Sequence, residues 1–183
     1  MWQIAERDGV ERASMRAIAA EAGTSVGMLQ HHFSDKEEIL AAAIRSRMAS
    51  KHARLARSIA RLGSSPDPAQ VLVVALRHRL PLTSKLHTEA RVLQHWLSSD
   101  VRSPLKAEVL LEGEQVLSTI IGRALREAQA RGQLAAHLDV EVLTCALVAL
   151  NDGLMHSLML GRHGARRATA IIETQVSALL NGG

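Results

Sequence analysis

The chain has 183 residues, a net charge of +4, one Cys, and three aromatic side chains: Trp2, Phe33 and Trp96. That length suits one or two small domains with a real core. The lone Cys145 excludes a disulfide framework and implies a reducing compartment, so a cytoplasmic protein is expected.

Ala, Leu, Arg, Glu and Gln dominate, and strands are scarcely suggested. The expectation is an all-α fold of about nine helices. The N-terminus lacks the basic start and long apolar stretch of a secretory signal. No Glu has a His three residues later, as a di-metal helical bundle needs, and no Cys-x-x-Cys, phosphate loop or nucleophile elbow occurs. No catalytic residues, metal site or cofactor are therefore expected.

In chain order, residues 2–9 start a short helix. Ser14 can cap the next through its hydroxyl. There Ile18 and Ala22 lie four apart with Ala19 beside them, and the small Ala19 lets a second helix cross closely. Gly23 falls where a left-handed residue stops a helix. Thr24 and Ser25 offer a cap for a following helix whose Leu29 and Phe33 face inward. Val26, Gly27, Gln30 and His31 fall on its other side. Ser34-Asp35-Lys36-Glu37 reads as a capping box, with Ser34 and Glu37 as the reciprocal pair.

A long helix follows over about 36–62. Leu40, Ile44, Met48, Leu55, Ile59 and Leu62 recur at helical spacing, and Arg45, Arg47, Lys51, Arg54, Arg57 and Arg61 lie on its other face. Residues 63–68, Gly-Ser-Ser-Pro-Asp-Pro, break it. Pro68 suits the first turn of the next helix, and Pro81 ends or kinks that one. Further helices are expected over about 84–98, 104–131, 139–160 and 166–180, with Gly132 as a stop. The apolar run 142–150 alone is too short to span a bilayer, so no membrane partner is expected.

Helix, tight turn, helix over residues 14–36 is the layout of a helix-turn-helix, which lays its second helix in the DNA major groove. Residues 1–62 carry ten Lys/Arg against seven Asp/Glu, so +3 of the +4 lies with the motif. The segment resembles the TetR family of bacterial transcriptional repressors. The residues that carry the resemblance are Ser14, Ile18-Ala19, Ala22-Gly23, Gly27, Leu29-Gln30, His32-Phe33 and Lys36. Gln30 stands where the family has a phosphate-contacting Tyr; Gln can donate to phosphate or read adenine bidentately. Residues 138–154, ending Asn151-Asp152-Gly153-Leu154, are more weakly similar to the C-terminal domain of the BetI-like branch. Residues 2–9 match only the end of the family's first helix. Either the start is misassigned or the chain is truncated. The alternative reading is therefore a ligand-binding helical dimer that no longer binds DNA.

The resemblance implies a helix-turn-helix DNA-binding domain over 1–46 and a helical ligand-binding and dimerisation domain over 47–183. By motif position, Ser25 and Gln30 are candidates for base-edge hydrogen bonds, Val26 and Met28 for thymine methyl contact, and Gly27 for close approach. Ser14, His31 and the phosphate candidates Arg16, Thr24, His32 and Lys36 complete the expected DNA-binding set. Helices 139–160 and 166–180 are expected to pack against their copies in a two-fold homodimer, because the first is apolar on more than one face. Such a dimer would bind a palindromic operator on double-stranded DNA and be released by a small-molecule inducer. Candidate inducer contacts are His87, Arg91, His95, Trp96, Asn151, Met155, His156 and Met159. Caging a quaternary ammonium typically takes several aromatics. Only Trp96 lies in the second domain, so an apolar or mixed inducer is expected rather than choline.

Overall fold

The computed structural model describes residues 1–99 and 102–181, which form nine α-helices, one 3-10 turn and no strand. The helices are α1 (Trp2–Asp8), α2 (Met15–Ala22), α3 (Val26–His32), α4 (Lys36–Ala60), α5 (Pro68–Arg79), α6 (Ser84–Ser99), α7 (Pro104–Ala130), α8 (Val140–Met159) and α9 (Ala165–Asn181). The all-α expectation holds. Asp67 caps α5 with Pro68 in its first turn, and Asp139 Oδ1 caps α8 by accepting from Glu141 N and Val142 N. Gly132, at φ 70°, ends α7 in the left-handed region.

The chain packs as two compact units. One comprises residues 1–50 with 88–113; the other comprises 51–87 with 114–183. In the first, two clusters lie back to back along α4. Ile4, Ala13, Ile18 and Ile39 form one, with Leu29 and Phe33 packed against it. Ala5, Leu40, Ala41, Ile44, Val92, Trp96 and Val109 form the other. A period of 3.6 residues lets successive turns of α4 feed both clusters. Ion pairs fix the rim. Arg45 reaches Glu108 at 2.8 Å and Glu112 at 2.9 Å, holding the Glu112 carboxyl below its usual range. Arg47 lies over the Trp2 ring and reaches Glu6 and Glu89.

The second unit has one core, built around Leu72, Leu76, Leu80, Ile121, Leu125, Leu154, Ile172 and Val176. The apolar run at 142–150 continues to Met159 as one twenty-residue helix. By length and hydropathy α8 satisfies the criterion for a membrane span. One of its faces nevertheless supplies Leu147, Val148, Leu154 and Leu158 to the core of this unit. Its central polar residue, Asn151, is fully buried and donates from Nδ2 to Leu76 O at 2.8 Å.

Candidate nucleic-acid interface

The turn between α2 and α3 is built by short-range chemistry. Ser14 Oγ accepts from Ala17 N at 3.2 Å and starts α2. Gly23, at φ 64°, takes the left-handed conformation that ends it, and Gly23 N and Thr24 N donate back to Ala20 O and Ala19 O. Ser25 Oγ then accepts from Met28 N at 3.1 Å and starts α3. No residue is left over for a longer linker, so the two helices must cross tightly. Ile18 and Ala19 are buried at the crossing, whereas Ala22, expected beside Ile18, is exposed.

α3 has one held face and one free face. Leu29 and Phe33 are half-buried against Ile4, Ala13, Ile18 and Ile39. Gly27, Met28, Gln30, His31 and His32 are exposed, and Val26 is half-buried. Met28 is 55% exposed, a large apolar side chain left in water on the same helix as Gln30. A Cβ built on Gly27 meets only Ser25 Oγ, at 3.9 Å, so this fold alone does not require glycine there.

The capping box of α4 is shifted by one residue from the expected pair. Asp35 Oδ1 accepts from Glu38 N at 2.9 Å, and the Glu38 carboxylate accepts from Ser34 N and Ser34 Oγ at 2.7 and 3.0 Å. Glu37 turns away to accept from Ser103 Oγ and to pair with the buried Lys106. Two acidic residues in succession made the register ambiguous in sequence; the helix starts at Lys36, which makes Asp35 the cap.

Of the basic residues near the motif, Arg7 is held by Asp8 and Glu21, while Arg45 and Arg47 are held by the carboxylates named above. Arg16 is exposed, and Lys36 is half-buried at the first turn of α4. Arg12 was missed by motif position. It is exposed two residues before the α2 cap and has no ion pair among the described residues. Its signal in sequence was proximity to Ser14.

The candidate inducer residues divide between the two units. Arg91, His95 and Trp96 fall in the first. Arg91 is exposed, and His95 Nε2 lies 2.7 Å from Glu11 Oε1. Trp96 is buried, with Lys106 Nζ 5.6 Å from its ring centroid. His87, Asn151, Met155, His156 and Met159 fall in the second. His87 Nε2 donates to Leu158 O at 3.2 Å, Met155 and Met159 are half-buried, and His156 is exposed. Among the described residues no three His, Cys, Asp or Glu side chains converge as metal ligands would.

A capped helix pair with an exposed face on its second helix, on an all-helical frame, is the layout of the helix-turn-helix class of DNA-binding proteins. Residues 2–43 match the model for bacterial regulatory proteins of the tetR family. The repressor AcnR of Corynebacterium diphtheriae is 27% identical over 158 residues, covering 84% of this chain and 74% of its own. A transcriptional regulator from Rhodococcus sp. Rha1 superimposes with a TM-score of 0.77 at 27% identity, over 98% of this chain and 91% of that one. A putative regulator from Saccharomonospora viridis, solved in complex with choline, gives a TM-score of 0.74 at 26% identity over 96% and 88%. The helix-turn-helix segment thus matches the tetR family model, and the chain as a whole is similar to bacterial transcriptional regulators.

Proposed function

We propose that this protein is a repressor that binds a palindromic operator as a homodimer and releases it when a small molecule binds. The observation that carries the reading is the free face of α3. Its back is anchored in a buried cluster, and its front presents Gln30, Met28 and Gly27 to solvent. Gln30 hydrogen-bonds base edges, Met28 and Val26 contact thymine methyls, and Gly27 admits the helix close to the groove floor. Ser25 spends an oxygen lone pair on its cap, and its O–H remains for a base edge. Arg16, Thr24, His32 and Lys36 hold the backbone and set the register, and Ser14 and His31 complete the interface. Arg12 joins this set on its exposure.

The inducer is a small molecule taken up by the helical body, in keeping with the choline-bound relative from Saccharomonospora viridis. Its release of DNA rests on unequal affinity for two arrangements of the helices. The test is binding of the purified chain to its own upstream intergenic DNA against an equal-length random duplex, over a range of salt. Preferential binding to a palindrome, weakening as salt rises, is expected. Equal binding to both duplexes at every salt concentration rejects the reading.

A further inference from the structure

Within the first unit, α4 and the start of α7 meet along one seam. Glu37, Leu40, Ala41 and Ile44 share a face of α4, and Lys106 and Val109 share a face of α7. Leu40, Ala41, Ile44 and Val109 are buried in one cluster with Trp96. The seam ends in a charge. The Lys106 side chain is only 5% exposed, with its Nζ 3.6 Å from Glu37 Oε1 and 5.6 Å from the Trp96 ring centroid. Ser103 Oγ donates to the same carboxylate oxygen at 3.1 Å. The start of α7 is itself firmly held. Val109 is wholly buried, Arg45 bridges to Glu108 and Glu112, and a Cβ on Gly113 would meet Met48 Cε.

A buried ammonium is costly to desolvate, and its ion pair adds little net stability; what such a pair can do is fix one geometry. The geometry at stake here adjoins the DNA face. Glu37 directly follows Lys36. On its other side, Glu38 accepts from Ser34 N and Oγ, and Asp35 accepts from Glu38 N. Ser34 follows Phe33, whose N–H closes α3 on Leu29 O. Helix ends fray, because the first turn has no intrahelical partners for its N–H groups. Buried apolar residues on α4 begin only at Ile39. Without the Glu37 contact, residues 34–38 rest on their own local hydrogen bonds.

We propose that Lys106, on a helix outside the helix-turn-helix, is a positioning residue for the DNA face. By holding Glu37 it sets the first turn of α4, and with it the place of Lys36 and the end of α3. Being buried, it acts through Lys36 and not on the duplex itself. Its effect on DNA rests on the operator binding proposed above; its effect on α4 does not.

Lys106→Met keeps the apolar stem and removes the charge. Glu37, 40% exposed, then rehydrates and still favours a helix N-terminus, so the urea midpoint should stay near that of wild type. Hydrogen exchange read by NMR on the free protein should quicken at least about threefold at Ser34, Glu38 and Ile39, with Ile44 unchanged. Affinity for the operator should fall about three- to thirtyfold. That fall should shrink in a Lys36→Ala background, as it must if the two residues act together. If Lys106→Met fails to fold, Ser103→Ala reaches the same carboxylate and should quicken the same amides to a smaller degree. If wild type does not prefer the operator to a random duplex, the operator reading falls and the exchange result alone decides. Unchanged exchange at the three amides, an undiminished operator affinity, or an equal fall with and without Lys36 would overturn the proposal.

Discussion

Asn151 completes a helix to which it does not belong. α5 stops at Arg79 ahead of Pro81, and Leu80 N turns back to Arg77 O, so Leu76 O loses its ordinary helical donor. The Asn151 amide, wholly buried on α8, supplies that donor. An asparagine in an apolar helix signals a buried polar group that needs a partner. Its partner was not legible, because nothing local says that the end of α5 lies opposite. Asn151→Leu, which keeps the branched four-atom skeleton but puts bulkier methyls in place of the amide, should destabilise the chain by at least about 1–3 kcal/mol by orphaning that carbonyl; a urea midpoint unchanged within error rules this role out. At the DNA face the residues separate by what they touch. Gln30→Ala should relax sequence choice, with about 1–3 kcal/mol of discrimination lost at one base pair. Lys36→Ala should instead weaken binding to every duplex and lower the salt slope by about one. Competition titrations against single-base operator variants distinguish them, and equal loss of specificity from both rejects the assignment.

Helix ends were largely legible because capping is local: Ser14, Ser25, Asp67, Asp139, Gly23 and Gly132 all act within four residues of themselves. The capping register of α4 slipped by one because Glu37 and Glu38 are both acidic, and only the Ser103 and Lys106 contacts draw Glu37 away. Contacts between elements were less legible. His78 on α5 donates from Nε2 to Lys51 O on α4 at 2.8 Å, a bond no periodicity reveals. Burial pushes the His78 pKa below its ordinary value, and nearby Lys51, Arg54 and His52 add to this against the opposing carbonyl bond. His52 is shifted the same way by burial and Lys51. Lowered native values mean that the unfolded chain binds protons first as pH falls. The contribution of these groups is therefore complete above about pH 6.5 and declines as pH drops through the native values. Urea unfolding between pH 7 and about 5.5 should show stability falling, at no more than about 1.4 kcal/mol per pH unit per proton. His78→Gln, which keeps a donor for Lys51 O but does not titrate, should flatten that slope. An unchanged slope would remove His78 from the account.

At the scale of the molecule, the amphipathic pattern of a helix names a buried face without naming what buries it. That residues 88–113 pack with the first fifty was therefore not readable from spacing. The same ambiguity attends α8, apolar on more than one face, and the structure divides those faces. Thr144, Leu147, Val148, Asn151, Leu154 and Leu158 turn into the core. Val142, Ala146, Ala149, Gly153, His156 and Leu160 form a stripe at spacings of three and four that stays exposed, with Val142 at 63% and Leu160 at 54%. Beside it in sequence, α9 leaves Ala170, Thr174 and Ala178 exposed at a spacing of four. Small residues in mid-stripe let another backbone approach, and a Cβ on Gly153 would meet nothing within 4 Å, so the single chain does not need the glycine. A second copy set on the same stripe satisfies both helices at once, as a self-complementary two-fold contact does. A two-fold dimer is also what a palindromic operator with half-sites about 34–36 Å apart calls for. Ala149→Arg should then give a monomer in sedimentation at micromolar concentration, with helical circular dichroism kept and operator affinity lost. Leu111→Arg, which places the same charge on an exposed apolar residue of the other unit, should leave the dimer intact. Wild-type protein sedimenting as the 19.8 kDa chain alone would exclude the dimer, and an Ala149→Arg dimer as tight as wild type would place its interface elsewhere.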